Sequence, residues 1–146
     1  QCHGTHRPQS APAVAADHGK TPHVIGISMK DFAALAKEVS SSAAALRQGL
    51  PEAMNGFAAL GKGAYSDGAL SHKFKELIAL ALCIASRCDG CVAYHARQVC
   101  NLGASREEVL ETIGVAIQMG GGPSMVYGGE ALRAFDTFKA QTSGEE

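Results

Sequence analysis

The chain has 146 residues, 46% of them hydrophobic and 5% aromatic, with a net charge near −1. That length suits one domain with a real core, and the balanced charge excludes electrostatic capture of nucleic acid or of an anionic membrane. The longest strongly apolar run, Leu77 to Ala85, falls well short of the roughly 20 residues a membrane helix needs, so no membrane partner is expected.

Residues 1–27 differ in character from the rest. They hold His3, His6, His18 and His23, three prolines and few large apolar side chains. They lack the basic start and apolar stretch of a secretory signal. Cys2, His3 and His6 are metal-capable types, but such compositions usually lack a packed core and bind nothing specific. The expectation is a disordered or extraneous segment, followed by one all-α domain over residues 28–141 and a flexible tail at 142–146.

From Ser28 the pattern is helical. Phe32, Leu35, Ala36, Val39, Ala43 and Leu46 recur every three or four residues, with Ser28 and Asp31 as the capping start and Gly49 as the end. Pro51 suits a helical first turn, because its missing N–H would be an orphan there anyway. Met54, Phe57, Ala58 and Leu60 carry a second helix, closed by Gly61 and Gly63. Ser71 caps a third through Phe74, Leu77, Ile78, Leu80, Ala81 and Ile84, apolar on nearly every side and so either buried or in a subunit contact. Arg87 to Gly90 is a tight break, and a fourth helix starts at Cys88 to Cys91 and stops at Leu102-Gly103. Ser105 and Glu108 form a capping box opening the fifth. Gly120-Gly121-Gly122 ends it through a break or a close helix approach, and Pro123 begins a sixth through Val126, Leu132 and Phe135. No stretch alternates long enough to be a strand. The fold class is all-α, with six helices.

The chemistry-bearing residues cluster at the third break. Cys88 and Cys91 are separated by two residues, and His95 follows four positions after Cys91. Thiols at a helix start gain thiolate character from unpaired backbone N–H groups and the helix dipole. A thiolate attacks a peroxide oxygen or a disulfide sulfur, and a second thiol nearby captures the sulfenic acid before irreversible oxidation. His95 shares a helix face with Cys91, where an imidazole can take the thiol proton and return it to a leaving alkoxide. If the third and fourth helices form an antiparallel hairpin, Glu76 comes within about one turn of His95 and can orient the ring directly or through a water. Zinc needs four ligands, and neither a second CxxC nor a suitably spaced histidine pair exists, so no metal is expected; the sequence offers no flavin or nicotinamide site, so no cofactor is expected either. Cys83 and Cys100 fall on apolar faces and read as small core residues. An odd cysteine count argues against a secreted disulfide scaffold, which fits a cytoplasmic protein with one working dithiol.

Glu76, Cys88-x-x-Cys91 and His95, with the flanking Lys75-Glu76-Leu77-Ile78-Ala79-Leu80, Tyr94-His95 and Met119-Gly120-Gly121-Gly122-Pro123, resemble the core of the AhpD-like alkyl hydroperoxidases of the carboxymuconolactone decarboxylase superfamily. The resemblance runs from about Met29 to Thr137 and is to the short, single-motif members. It implies a six-helix bundle with the CxxC at the start of a helix in a central antiparallel hairpin, assembled as trimers or hexamers. It also implies reduction of organic hydroperoxides, with Cys91 peroxidatic, Cys88 resolving, His95 the proton shuttle and Glu76 its partner. An external thiol reductant, a thioredoxin-like or lipoyl protein, must then restore the dithiol. Some members carry a second histidine just before the second cysteine, where this chain has Gly90. The thiol order stays open on physical grounds, since thioredoxin-type sites use the amino-terminal sulfur. Two other functions stay open: a thiol–disulfide adaptor or sensor without peroxidase activity, which uses the same thiolate, and a lactone decarboxylase, against which the CxxC counts because representatives with that chemistry generally lack it.

Overall fold

The computed structural model describes residues 29–144, and all of their regular structure is helical. The expectations for residues 1–27, the Cys2–His3–His6 group and a capping Ser28 lie outside the described residues. Helix α1 (Phe32–Gly49) takes its N-cap from Asp31, whose carboxylate accepts the Ala34 N–H at 3.0 Å. Helix α2 (Pro51–Tyr65) follows after Leu50 alone, and α3 (His72–Ser86) starts at Ser71, whose hydroxyl accepts from the Phe74 N–H. Helix α4 (Asp89–Asn101) is capped by Cys88. Helix α5 (Arg106–Ser143) opens with the reciprocal Ser105–Glu108 capping box and continues two residues past the expected end of the domain.

The fifth and sixth expected helices meet without a loop, as the two halves of α5. The glycine run and Pro123 do not make a loop; they produce a break confined to Gly121, at φ 67° and ψ −154° inside α5. Only a residue without Cβ occupies that backbone region easily. The break is sharp. Ile113 and Gly128 would stand about 22 Å apart along a straight helix. Here, a Cβ added at Gly128 would lie 2.6 Å from Ile113 Cγ2, so the second half of α5 folds back against the first.

Leu80, Ile84, Val92, Val99, Val109 and Phe135 are the largest fully buried apolar side chains and fill the core between α3, α4 and α5. Helix α3 packs on both α4 and α5, and α1 lies across α4 and α5 with Phe32 and Ala36 buried. Helix α2 touches only α1 and α3 and buries no residue. The α3–α4 reversal is made by Arg87 in the left-handed conformation (φ 57°), whose N–H is held by the carbonyls at the end of α3. Such a backbone costs a non-glycine residue about 1–2 kcal/mol, and here it brings the two helices together within three residues of chain.

Candidate active site

The tight reversal sets the site. Cys88 ends the turn and Cys91 sits in the first turn of α4, and their sulfurs are joined in a disulfide with Cα atoms 5.2 Å apart. Cys88 Sγ also accepts the Cys91 backbone N–H at 3.3 Å, so a cysteine serves as the N-cap of α4. That N–H is one of the orphan donors of a helix start, and its natural partner is an anion. Both cysteines are half-buried.

His95 lies one turn beyond Cys91 and meets Glu76 directly, Nδ1 to Oε2 at 2.6 Å. The α3–α4 reversal brings these two side chains into direct contact. Glu76 is 3% exposed, a carboxylate well inside the protein with its charge answered by imidazole. A carboxylate on Nδ1 keeps the proton on that nitrogen, which leaves Nε2 as the basic nitrogen of the neutral ring.

The charge of Glu76 reaches further. Burial, then the Glu76 charge, pushes the Cys83 thiol up to about 11, so this core cysteine stays a thiol near neutrality. The Tyr65 phenol is raised for the same two reasons in the same order. Tyr65, from the end of α2, places its ring 6.1 Å from that of His95 and 5.8 Å from that of His72. Tyr94 meets His95 edge-on at 5.0 Å and is itself 40% exposed, at the surface side of the site. Tyr65 and His72 were not legible as site residues. His72 carried a signal in its i,i+4 spacing to Glu76, whereas Tyr65 arrives from a separate helix with no local pattern.

Helix α1 packs on α4 beside the residues between the two cysteines. A Cβ at Gly90 would stand 2.9 Å from Val39 Cγ2, which explains why the residue before Cys91 has no side chain. The stiff β-branched Val39 holds the room that a side chain there would need. Lys30, just before α1, donates to Asp89 Oδ1 at 2.8 Å and to Glu130 Oε2 at 2.6 Å, and lies 5.0 Å from the centre of the Tyr127 ring. Its hydrogen bonds to those carboxylates raise its ammonium to about 12. One cation thus ties the start of α1 to a residue between the two cysteines and to the second half of α5. Cys100 is buried on α4, away from the surface. Among the described residues no cluster of three metal-capable side chains occurs, and no helix is long and apolar enough to cross a membrane.

Residues 51–135, which contain the hairpin and all four motif residues, match the carboxymuconolactone decarboxylase family. The chain belongs to that family. It is an AhpD-like member of that superfamily. An uncharacterized protein of Cupriavidus necator is 41% identical over 103 residues, covering 70% of this chain and 91% of that protein. The structure of a family protein from Legionella pneumophila superposes with a TM-score of 0.73 at 47% identity, covering 74% of this chain and 96% of that one. A Thermotoga maritima family protein, for which a part in the antioxidative response has been suggested, superposes at 0.64 with 27% identity, covering 80% and 97%.

Proposed function

We propose that this family member is a thiol peroxidase that reduces alkyl hydroperoxides through the Cys88–Cys91 dithiol. The observation that carries the reading is the 2.6 Å Glu76–His95 contact one turn from Cys91. A buried carboxylate fixing the tautomer and charge of an imidazole beside a dithiol is the arrangement that moves a thiol proton. The suggested antioxidative role of the Thermotoga maritima relative supports the same reading.

In the proposed cycle His95 Nε2 takes the Cys91 thiol proton, and the thiolate attacks the terminal oxygen of ROOH. The O–O bond breaks, Cys91 becomes a sulfenic acid, and the alkoxide takes the proton back from His95 to leave as ROH. Cys88 then attacks the sulfenic sulfur; the S–S bond forms, and hydroxide leaves with the Cys88 proton as water. Two thiols and one hydroperoxide give one disulfide, one alcohol and one water. An external dithiol of the thioredoxin or lipoyl type returns the two electrons by attacking Cys91 Sγ. Cys88 is the leaving thiolate in that step, held by the Cys91 N–H at the helix N-terminus.

The test is thiol loss on adding tert-butyl or cumene hydroperoxide to reduced protein. One disulfide per peroxide in the wild type, abolished in Cys91→Ser, is the expected outcome; His95→Gln oxidising as fast as wild type removes the shuttle. The N-cap bond to Cys88 Sγ favours a second order, with Cys88 attacking first. Trapping the sulfenic acid in Cys88→Ser and Cys91→Ser decides it, since label only in the protein that retains Cys88 reverses the assignment. Rapid exchange with oxidised protein partners but sluggish reaction with any peroxide makes the chain a redox adaptor instead.

We also propose that the chain works as a homo-oligomer, a trimer or hexamer. Phe57 and Leu60 on α2, Phe74, Ile78 and Leu82 on α3, and Met119 on α5 are all exposed, with Met119 at 82%. Large apolar side chains exposed on this scale, spread over three helices, are what an association between copies would cover. Light scattering that returns three or six times the 15.1 kDa chain mass is expected, and a stable monomer refutes it.

A further inference from the structure

Glu76 serves two imidazoles. Its Oε2 lies 2.6 Å from His95 Nδ1, and its Oε1 lies 3.5 Å from His72 Nε2. The rings differ in access to water: the His95 side chain is 16% exposed and that of His72 41%. The geometry is built in, because His72 and Glu76 are one turn apart on α3 and His72 is held at the helix start. The Asp67 carboxylate accepts the His72 backbone N–H at 2.7 Å, and the Tyr65 ring lies against both imidazoles.

We propose that His72 is a positioning residue for the dithiol site, one whose charge on the far oxygen of Glu76 sets the pH at which His95 gives up its proton. The proposal deepens the peroxidase reading by giving the base a solvent-side regulator, but the coupling itself exists with or without peroxide.

A single carboxylate facing two imidazoles has one negative charge for two cations. The first proton taken by either ring finds the full charge of Glu76, while the second finds it partly answered and meets a like charge beyond it. Two local effects act on His72 itself. Its place in the first turn of α3 works against a cation, and the carboxylate one turn further on works for it. The other ionisable groups near the pair include Asp67 before α3, Lys75 on α3, whose ammonium donates to the Ser66 carbonyl, Tyr65 from α2, Cys83 on α3, and Tyr94 and the dithiol at α4. Tyr65 and Cys83 are both pushed upward by burial and the Glu76 charge, so they remain neutral where imidazoles titrate. That leaves His72 and His95 exchanging protons against one buried anion. The consequence for chemistry is direct. Only a neutral His95 accepts a thiol proton, so each increment of positive charge at His72 extends the working range of the base toward lower pH.

The experiment follows the His95 ring protons by NMR across pH in reduced wild type, His72→Gln and His72→Lys. His72 is at the surface, so both variants are expected to fold; the first removes the switchable charge and the second makes it permanent. The expected order of His95 midpoints is the Lys variant lowest and the Gln variant highest. Wild type lies between them or level with the Gln variant. The two variants should differ by at least about half a pH unit, the scale of a like-charge interaction at a partly wet site. Coincident midpoints, or the reverse order, overturn the proposal whatever the protein does with peroxide. Peroxide-driven thiol loss, measured across pH in the same proteins, keeps the two readings apart. A profile that moves with the NMR midpoints supports both. A profile that stays fixed while the midpoints spread retains the coupling and removes His95 as the base.

Discussion

Replacing Glu76 with glutamine separates the chemistry of the site from its stability. The carboxylate is buried and sits 2.6 Å from His95 Nδ1, in the range of short, charge-assisted hydrogen bonds. The amide oxygen of glutamine can still accept the Nδ1–H, so the ring keeps its tautomer and direction. What is lost is the stabilisation of the imidazolium that forms when His95 holds the thiol proton. Charged hydrogen bonds contribute about 1.5–3 kcal/mol net. A loss of about 2 kcal/mol in that step slows it about 30-fold. Stability moves differently. Taking a charge out of a buried site relieves its desolvation cost, so Glu76→Gln is expected within about 1 kcal/mol of wild type at neutral pH. Glu76→Ala, which leaves a cavity and an unanswered Nδ1–H, is expected to lose about 2–4 kcal/mol. The assay is thiol titration after pulses of tert-butyl hydroperoxide, with thermal melts on the same samples. A wild-type oxidation rate in a well-folded Glu76→Gln protein refutes the reasoning, because no role for the carboxylate charge then remains. An internal control comes from Cys83, held up by burial first and by Glu76 second. In Glu76→Gln its alkylation should begin at lower pH, yet still above that of an open thiol.

Three further predictions use other parts of the molecule. Gly90→Ala drives a methyl toward Val39 Cγ2, 2.9 Å from the new carbon, and is expected to cost about 1–3 kcal/mol of unfolding free energy in urea. Val39→Ala should restore part of it, so additivity of the two substitutions would refute the contact. Gly121→Ala forces a side chain into a backbone region only glycine occupies easily, with an expected loss of about 1–3 kcal/mol in the same assay; an unchanged midpoint would mean the fold-back of α5 is not fixed there. The Cys83 thiol, ordinarily near 9, stands at about 11 in the folded chain, so folding favours its protonated form. The associated stability is complete below pH 9 and lost between pH 9 and 11, by about 2–3 kcal/mol. Urea midpoints of reduced wild type should therefore fall across that window more than those of Cys83→Ala.

The parts of this fold that were readable from the chain are those whose cause is local. Ser71 and Ser105 cap their helices because a hydroxyl at the right offset meets an orphan N–H, and both starts stand where the residue types put them. The dithiol at a helix start and the histidine one turn on follow from the same short-range geometry. Helix α2 runs on through Gly61 and Gly63 to Tyr65, because neither glycine has to leave the helix and the Ser66 hydroxyl bonds the Lys62 carbonyl beyond them. A glycine lowers helix propensity by about 1 kcal/mol but ends a helix only where the chain must turn. At Gly121 the chain does turn, yet within a single residue, so the fifth and sixth expected helices follow one another with no loop between them.

What no periodicity could carry is the set of contacts that meets the hairpin from outside it. Val39 against Gly90 and Lys30 against Asp89 join residues more than fifty positions apart, each to a residue that is unremarkable in its own segment. Gly90 in a CxxC reads alone as a missing side chain, and Lys30 as a solvated charge. Together they bring α1 against the Asp89-Gly90 pair between the cysteines: one removes the bulk that would hold the helix off, and the other ties its start to Asp89 and Glu130. The two contacts also differ in strength in a way that can be separated. An exposed lysine pair contributes at most about 1 kcal/mol and weakens with salt, whereas the Val39 contact is steric and indifferent to it. If Lys30 holds α1 there, the reactivity of the reduced dithiol toward iodoacetamide should rise in Lys30→Ala and with salt in wild type. If packing holds it, Val39→Ala should raise reactivity at every ionic strength while Lys30→Ala matches wild type.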